Sequence, residues 1–262
     1  MNSVALSVRT FFRNRVLDVI SIASKPHSGI HILNGHFLSL DAAANARIFE
    51  NMLSKLEKKG VKFVDFTYAA ERISSKNIPI NECLVAFTWD DGFEECFTKI
   101  KPVLDRRNIK ACFFINPNFI DGSEEYRENF TKNIVMVNKP PMDWDMVKAL
   151  HADGHIIGAH TLDHLSLNSD DKAFLVKQII GSKDRIESVL NDSVEHFAFP
   201  FGQLKYISEL GVEVACKKFP YVYSQSNYTN YFSFNGKIIN RRHFECSWPV
   251  NHVIYFLKSK KF

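Results

Sequence analysis

Short apolar runs recur along this 262-residue chain, and most are followed by a stretch whose apolar residues are spaced for a helix. Strands are predicted at residues 30–33, 61–64, 84–88, 110–115, 155–159, 196–199, 221–224 and 237–241. Asp41 caps a helix predicted over 42–59, with Ile48, Phe49, Met52, Leu53 and Leu56 inward and Gly60 as its stop. Further helices are predicted near 93–107, 143–151, 170–190, 208–217 and 249–258, whereas 121–137 reads as a polar loop. Such alternation implies βαβ units and a parallel sheet. Polar motifs at successive strand ends fit a closed α/β barrel with its site at the C-terminal face of the strands. No linker, internal repeat or low-complexity segment divides the chain.

The polar residues at two of these strand ends carry the chemistry. Leu84-Val85-Ala86-Phe87 leads into Thr88-Trp89-Asp90-Asp91-Gly92, which sets two carboxylates side by side. Adjacent like charges repel, so one of them needs a metal, a cation or a proton. Alone, the pair reads equally well as a helix cap before Phe93. A second motif, His160-Thr161-Leu162-Asp163-His164, follows the run at 155–159. Two histidines four apart project to one side of a helical turn and suit a divalent metal. Together the motifs offer three ligands and a spare carboxylate, and three protein ligands leave a position open for water. His151 and His155 fall at a helix end and a strand start, where structural roles are expected.

Composition narrows the class. Hydrophobic residues make up 45% of the chain and include 23 Phe, enough for a sizeable core. A net charge of +4 implies no nucleic-acid partner and tolerates an anionic substrate or membrane surface. Five scattered cysteines without Cys-x-x-Cys spacing read as reduced thiols of a cytoplasmic protein. Arg9, Arg13 and Arg15 lie among Leu6, Phe11, Phe12, Val16, Leu17, Val19 and Ile20 in the stretch from Val4 to Ile22. An amphipathic helix there packs on the barrel or contacts the inner face of a membrane peripherally. The expected division is an N-terminal helical extension, 1–28, and one barrel domain, 29–262. The sequence is silent on oligomeric state.

Thr88-Trp89-Asp90-Asp91-Gly92 resembles the first motif of the polysaccharide deacetylases (carbohydrate esterase family 4), His160 to His164 the second, and Phe197-Ala198-Phe199-Pro200-Phe201-Gly202 the third. The similarity runs from about Ile30 to about Phe244. It implies a distorted, usually seven-stranded (β/α) barrel and a metal-dependent N-deacetylase of an N-acetylated sugar in a glycan, glycolipid or sugar conjugate. An amidohydrolase or deformylase acting on another amide, and an inactive carbohydrate-binding relative, are the alternatives. By resemblance Asp90 is the general base, and Asp91, His160 and His164 hold one divalent metal. Zinc is the first expectation, and cobalt, nickel or iron also suit this ligand set. Pro200 stiffens a loop whose Phe201 N–H points at the developing oxyanion, and Trp144 stacks on a sugar or fills the core.

Two departures stand out. Ala198 occupies the place of an arginine that orients the base in relatives of the chitin and peptidoglycan type. Arg241-Arg242 is the substitute, with Arg242 assigned to the site, although a solvent-facing pair reads equally well. The Ala-for-Arg pattern is similar to the branch that includes poly-N-acetylglucosamine deacetylases. The usual late histidine motif is also missing, because His252 sits at a helix start. In that branch the donor comes from an early strand, which makes His36 the expected acid, with His31 and His243 as runners-up.

Overall fold

The computed structural model describes residues 25–226 and 229–258. The helix expected within residues 4–22 lies outside them. Ten strands form one sheet: β1 (Gly29–Gly35), β2 (Val61–Phe63), β3 (Cys83–Trp89), β4 (Cys112–Ile115), β5 (Ile156–Ala159), β6 (His196–Ala198), β7 (Tyr221–Ser224), β8 (Phe232–Ser233), β9 (Ile238–Asn240) and β10 (Arg242–His243). Their order is β10-β1-β3-β4-β5-β6-β7-β9-β8, with β2 also on β3. All pairs are parallel except β8 with β9.

Arg241 alone separates β9 from β10. β9 pairs with β7 at one end of the sheet, and β10 pairs with β1 at the other. Residues 238–243 therefore tie the two ends together. Counting that run once, and setting aside β2, which pairs only with β3, gives a ring of seven parallel strands (β1, β3, β4, β5, β6, β7 and β9–β10), the distorted (β/α)7-type barrel expected from the resemblance.

Successive strand residues face opposite sides of a sheet, and here both sides are buried. Ile30, Ile32, Leu84, Ala86, Cys112, Phe114, Ala198, Tyr223 and Ile239 form one apolar cluster, the barrel interior. Leu33, Val85, Phe87, Trp89, Phe113, Ile115, Ile157 and Phe197 belong to the larger layer under the helices. A helix absent from the sequence reading, Phe66–Ser74, adds Phe66, Ala69 and Ile73 to the interior cluster. The Phe66 N–H donates to Lys110 O just before β4, so this helix plugs the N-terminal mouth. The other mouth is left for a site.

Three other expectations change. Residues 121–137 are not a loop: Ser123 caps a helix at Glu124–Asn129, which runs into a π-helical turn at Phe130–Ile134. No side chain of Glu124–Asn129 is buried, so the segment lacks the apolar periodicity that marks a helix in a sequence. The helix expected from residue 42 starts at Arg47, because Asp41 accepts the Ala43 N–H in a local turn instead. The helix expected over 93–107 is π-helical at Cys96–Ile100, with the Lys101 N–H reaching back to Cys96 O, and becomes α-helical only at Lys101–Arg106. Among the described residues no helix is long and apolar enough to cross a membrane, and all five cysteines are free.

Gly158 on β5 makes room for the barrel's central ring. A Cβ there would lie 2.4 Å from the Phe114 side chain and 3.2 Å from His196 O. Gly158→Ala is expected to destabilise the fold by about 1–3 kcal/mol through overpacking. Urea denaturation measures this, and an unchanged midpoint would mean the ring is free to move.

Candidate metal centre and catalytic site

The barrel interior changes from apolar to polar at the C-terminal ends of its strands. Continuing the inward column of each strand by two residues reaches Asn34, Thr88 and Asp90, Asn116, His160 and Arg241, all buried. Packing has already directed these positions inward, so the polar groups converge without a dedicated loop.

Asp91, His160 and His164 each place one ligand atom within 4.8 Å of the other two. His164 Nε2 lies 3.2 Å and His160 Nε2 3.6 Å from Asp91 Oδ1. His160 Nδ1 is 2.7 Å from the Ala198 carbonyl. That contact places the proton on Nδ1 and leaves the Nε2 lone pair facing Asp91. Burial pushes the His160 pKa down to about 4, so the ring is neutral at pH 7. Burial would raise the Asp91 pKa, but His164 beside it holds the carboxyl well below the usual range. Asp91 Oδ1 is buried and has no hydrogen-bond donor. A buried carboxylate oxygen without a donor is costly, and the two imidazoles facing it complete a donor set that fits a divalent cation.

The expected helical turn between the histidines is absent. Asp91, Thr161 and His164 have φ of +73°, +66° and +53°, which is rare for a β-branched residue such as Thr161. The surroundings impose this path. Asn116 Nδ2 donates to the carbonyls of both His160 and Thr161. Asp163 accepts from Asn118 at 2.6 Å, Tyr126 at 2.7 Å and Gln178 at 2.7 Å. Sequence reasoning missed all four supports. Asn116 had a readable signal, since it continues the inward column of β4.

Asp90 belongs to a second network. Arg241 grips it in fork geometry, Nη1 to Oδ1 at 2.7 Å and Nη2 to Oδ2 at 2.8 Å, and Asn34 Nδ2 donates to Oδ2 at 3.0 Å. Arg241 also donates to Asn34 Oδ1 and Thr88 Oγ1, both at 3.1 Å, and its guanidinium lies 4.8 Å over the Phe114 ring. Burial opposes ionisation of Asp90, but Arg241 and then His160 hold its pKa below the usual value. The cation opposite Asp90 is thus Arg241, which corrects the assignment to Arg242. The two neighbours alternate along an extended run, so only one of them faces inward. Arg242 instead lies 3.7 Å over the Phe256 ring.

A cavity of about 300 Å³ opens above the set, lined by His36, Asp91, His164, Phe201 and His243 together with the apolar run from Ile134 to Val137. His36 and His243 face each other with ring centroids 5.4 Å apart. Burial lowers the His36 pKa, against the pull of Asp91 and Asp90. Phe201 packs 4.8 Å from the His164 ring at φ +59°. Gly202 follows at φ +63°, and a Cβ there would meet Gln225 Cβ at 2.2 Å. The remaining expectations fall elsewhere. Pro200 is buried and does not line this cavity. Trp144 is half-buried against the hydrophobic core and donates to Asp121 at 2.7 Å beneath Arg185, outside the cavity lining, so its core alternative holds. His31 and His252 are buried away from the cavity lining, and His155 bonds Asp105 at 3.0 Å, as a structural histidine.

Arg241→Met is expected to cost about 3–5 kcal/mol in urea denaturation, because it strands a buried carboxylate. Adding Asp90→Asn should recover part of the loss. A single variant as stable as the wild type would remove the pair's structural role.

Comparison with known proteins bears on this geometry. Residues 77–215 match the polysaccharide deacetylase family profile. Chitin deacetylase from Colletotrichum lindemuthianum is 31% identical over 105 residues, which is 38% of this chain and 36% of that protein. Peptidoglycan-N-acetylglucosamine deacetylase from Bacillus cereus is 29% identical over 137 residues, 50% of this chain and 42% of the relative. The chain thus spans well under half the length of these two relatives. The structure of IcaB from Ammonifex degensii shares the fold, with a TM-score of 0.71 at 20% identity over 90% of this chain and 100% of that one. The profile covers more than half of the sequence and includes both acidic residues and both histidines of the buried set. The chain belongs to the polysaccharide deacetylase family.

Proposed function

We propose that this chain is a metal-dependent hydrolase that removes the acetyl group from an N-acetylated sugar, releasing acetate and a free amine. The observation that carries the proposal is the division of labour between two adjacent carboxylates. Asp91 turns an unpartnered oxygen toward two histidines, while Arg241 and Asn34 hold Asp90 ionised beside them. A binding protein without turnover has no use for the second carboxylate, which disfavours the inactive reading. An amidohydrolase or deformylase for another amide would use the same groups, and the family match favours the sugar.

A divalent cation held by Asp91, His160 and His164, zinc first, would supply Lewis acidity for the attacking water and the amide carbonyl. Asp90 takes the proton of that water. Its Oδ2 is 3.8 Å from His160 Nε2, so the base faces the ligand set. Oxyanion charge is met by the Phe201 N–H, at the rim of the same cavity. His36 donates the proton that the amine needs as the C–N bond breaks. Its lowered pKa makes the protonated ring a stronger acid.

Incubation with N-acetylated sugars, with assay of released acetate and elemental analysis of the protein, tests this. Asp90→Asn should retain metal and lose turnover by ~10²–10⁴-fold, whereas His164→Ala should lose the metal. Full activity in the first variant, or equal metal content in the second, would overturn the assignment. A second comparison addresses the acid. His36→Ala should lower kcat with metal intact and His252→Ala should be near neutral, and the reverse pattern would move the donor to the last helix.

A further inference from the structure

Beside the catalytic cavity lies a larger cleft of about 610 Å³, lined by Lys205, Arg242, His243, Gln225, Ser226 and Trp248 among others. The two spaces share Gln225 and His243, so the cleft adjoins the catalytic cavity. Among its described lining residues none carries a carboxylate. That is a chemical restriction. Neutral sugar hydroxyls both donate and accept, whereas Lys and Arg are donors only, so two cations with no carboxylate beside them suit a ligand rich in acceptor oxygens. Arg242 is held in place by Phe256, and the exposed Lys205 lies 4.8 Å over the Tyr206 ring, so both cations have aromatic supports beside the opening. Arg241 reaches the same wall, but its fork is committed to Asp90.

We propose that this cleft binds a phosphoryl group attached to the N-acetylated sugar, so that the substrate is a sugar phosphate or phosphodiester rather than a neutral glycan. The proposal rests on the deacetylase reading and extends it to substrate class. A phosphoryl group offers only acceptor oxygens. Arg242 and Lys205 both offer charge-assisted donors to such oxygens, the ammonium as a point charge. The sugar then occupies the smaller cavity with its acetamido group above Asp91, and the phosphoryl group lies on the far side of Gln225 and His243.

Equilibrium dialysis of the metal-loaded full chain tests this, with bound sugar and released acetate both quantified. The probes are N-acetylglucosamine 1-phosphate, UDP-N-acetylglucosamine and the neutral methyl N-acetylglucosaminide. The phosphorylated probes should bind at least roughly tenfold more tightly at low salt, and added salt should reduce the gain. Lys205→Glu and Arg242→Gln should abolish the gain and leave the neutral probe unchanged. Lys205 is exposed, so its variant tests the cleft even if Arg242→Gln fails to fold. Equal affinities for all probes, or a gain that survives Lys205→Glu, would overturn the proposal. Acetate release from neutral diacetylchitobiose, compared between wild type and Lys205→Glu, is a separate readout. Absence of acetate from this disaccharide and from every dialysis probe would sink the deacetylase reading, while the dialysis would still decide the cleft.

Discussion

The buried pair between Asp90 and Arg241 joins the closure of the barrel to its chemistry. Arg241 is the one residue between the strand that bonds β7 and the strand that bonds β1. Its N–H donates to Ser224 O, and the Phe244 N–H donates to Asn34 O, so the backbone on each side of it closes the seam. Its side chain enters the barrel at the same point. A guanidinium this deep is tolerable only if its donors are met, and Asp90, Asn34 and Thr88 meet them from β1 and β3. Closing the sheet therefore delivers the cation that keeps Asp90 ionised.

This arrangement accounts for Ala198. The Arg241 guanidinium lies at the barrel's interior, 4.8 Å over the Phe114 ring. With Arg241 entering from the seam, the residue at the end of β6 is small and apolar, and its carbonyl is used instead to orient His160.

Strain concentrates where the ligand atoms converge. Asp91, Thr161 and His164 occupy the left-handed region, and such conformations cost of order 1–3 kcal/mol each in sparsely populated cases. In the histidine loop they persist because Asn116, Asn118, Tyr126 and Gln178 over-determine the path. Tyr126 belongs to the short helix in the segment expected to be a loop. That excursion thus supports the histidine loop, while its continuation at Ile134 to Val137 walls the cavity.

Local sequence determined a great deal here. Continuous apolar runs and helices with apolar stripes are written in neighbouring residues, so the parallel α/β architecture could be read directly. So could Asp90, Asp91, His160 and His164, because their spacing within each motif is short. Elements that are stable only through distant partners were not legible. The Phe66–Ser74 plug is buried among distant strands, its Phe66 ring against Phe114, His196 and Tyr223, and the left-handed turn at Thr161 is held by the Asn116 side chain 45 residues upstream. The choice between Arg241 and Arg242 belongs to the same class. Both residues have the same chemistry and adjacent numbers, and only the register of the closing strand decides which one faces the carboxylate. Tertiary packing made that decision, because side-chain direction in an extended strand alternates while its phase is set by the neighbouring strands.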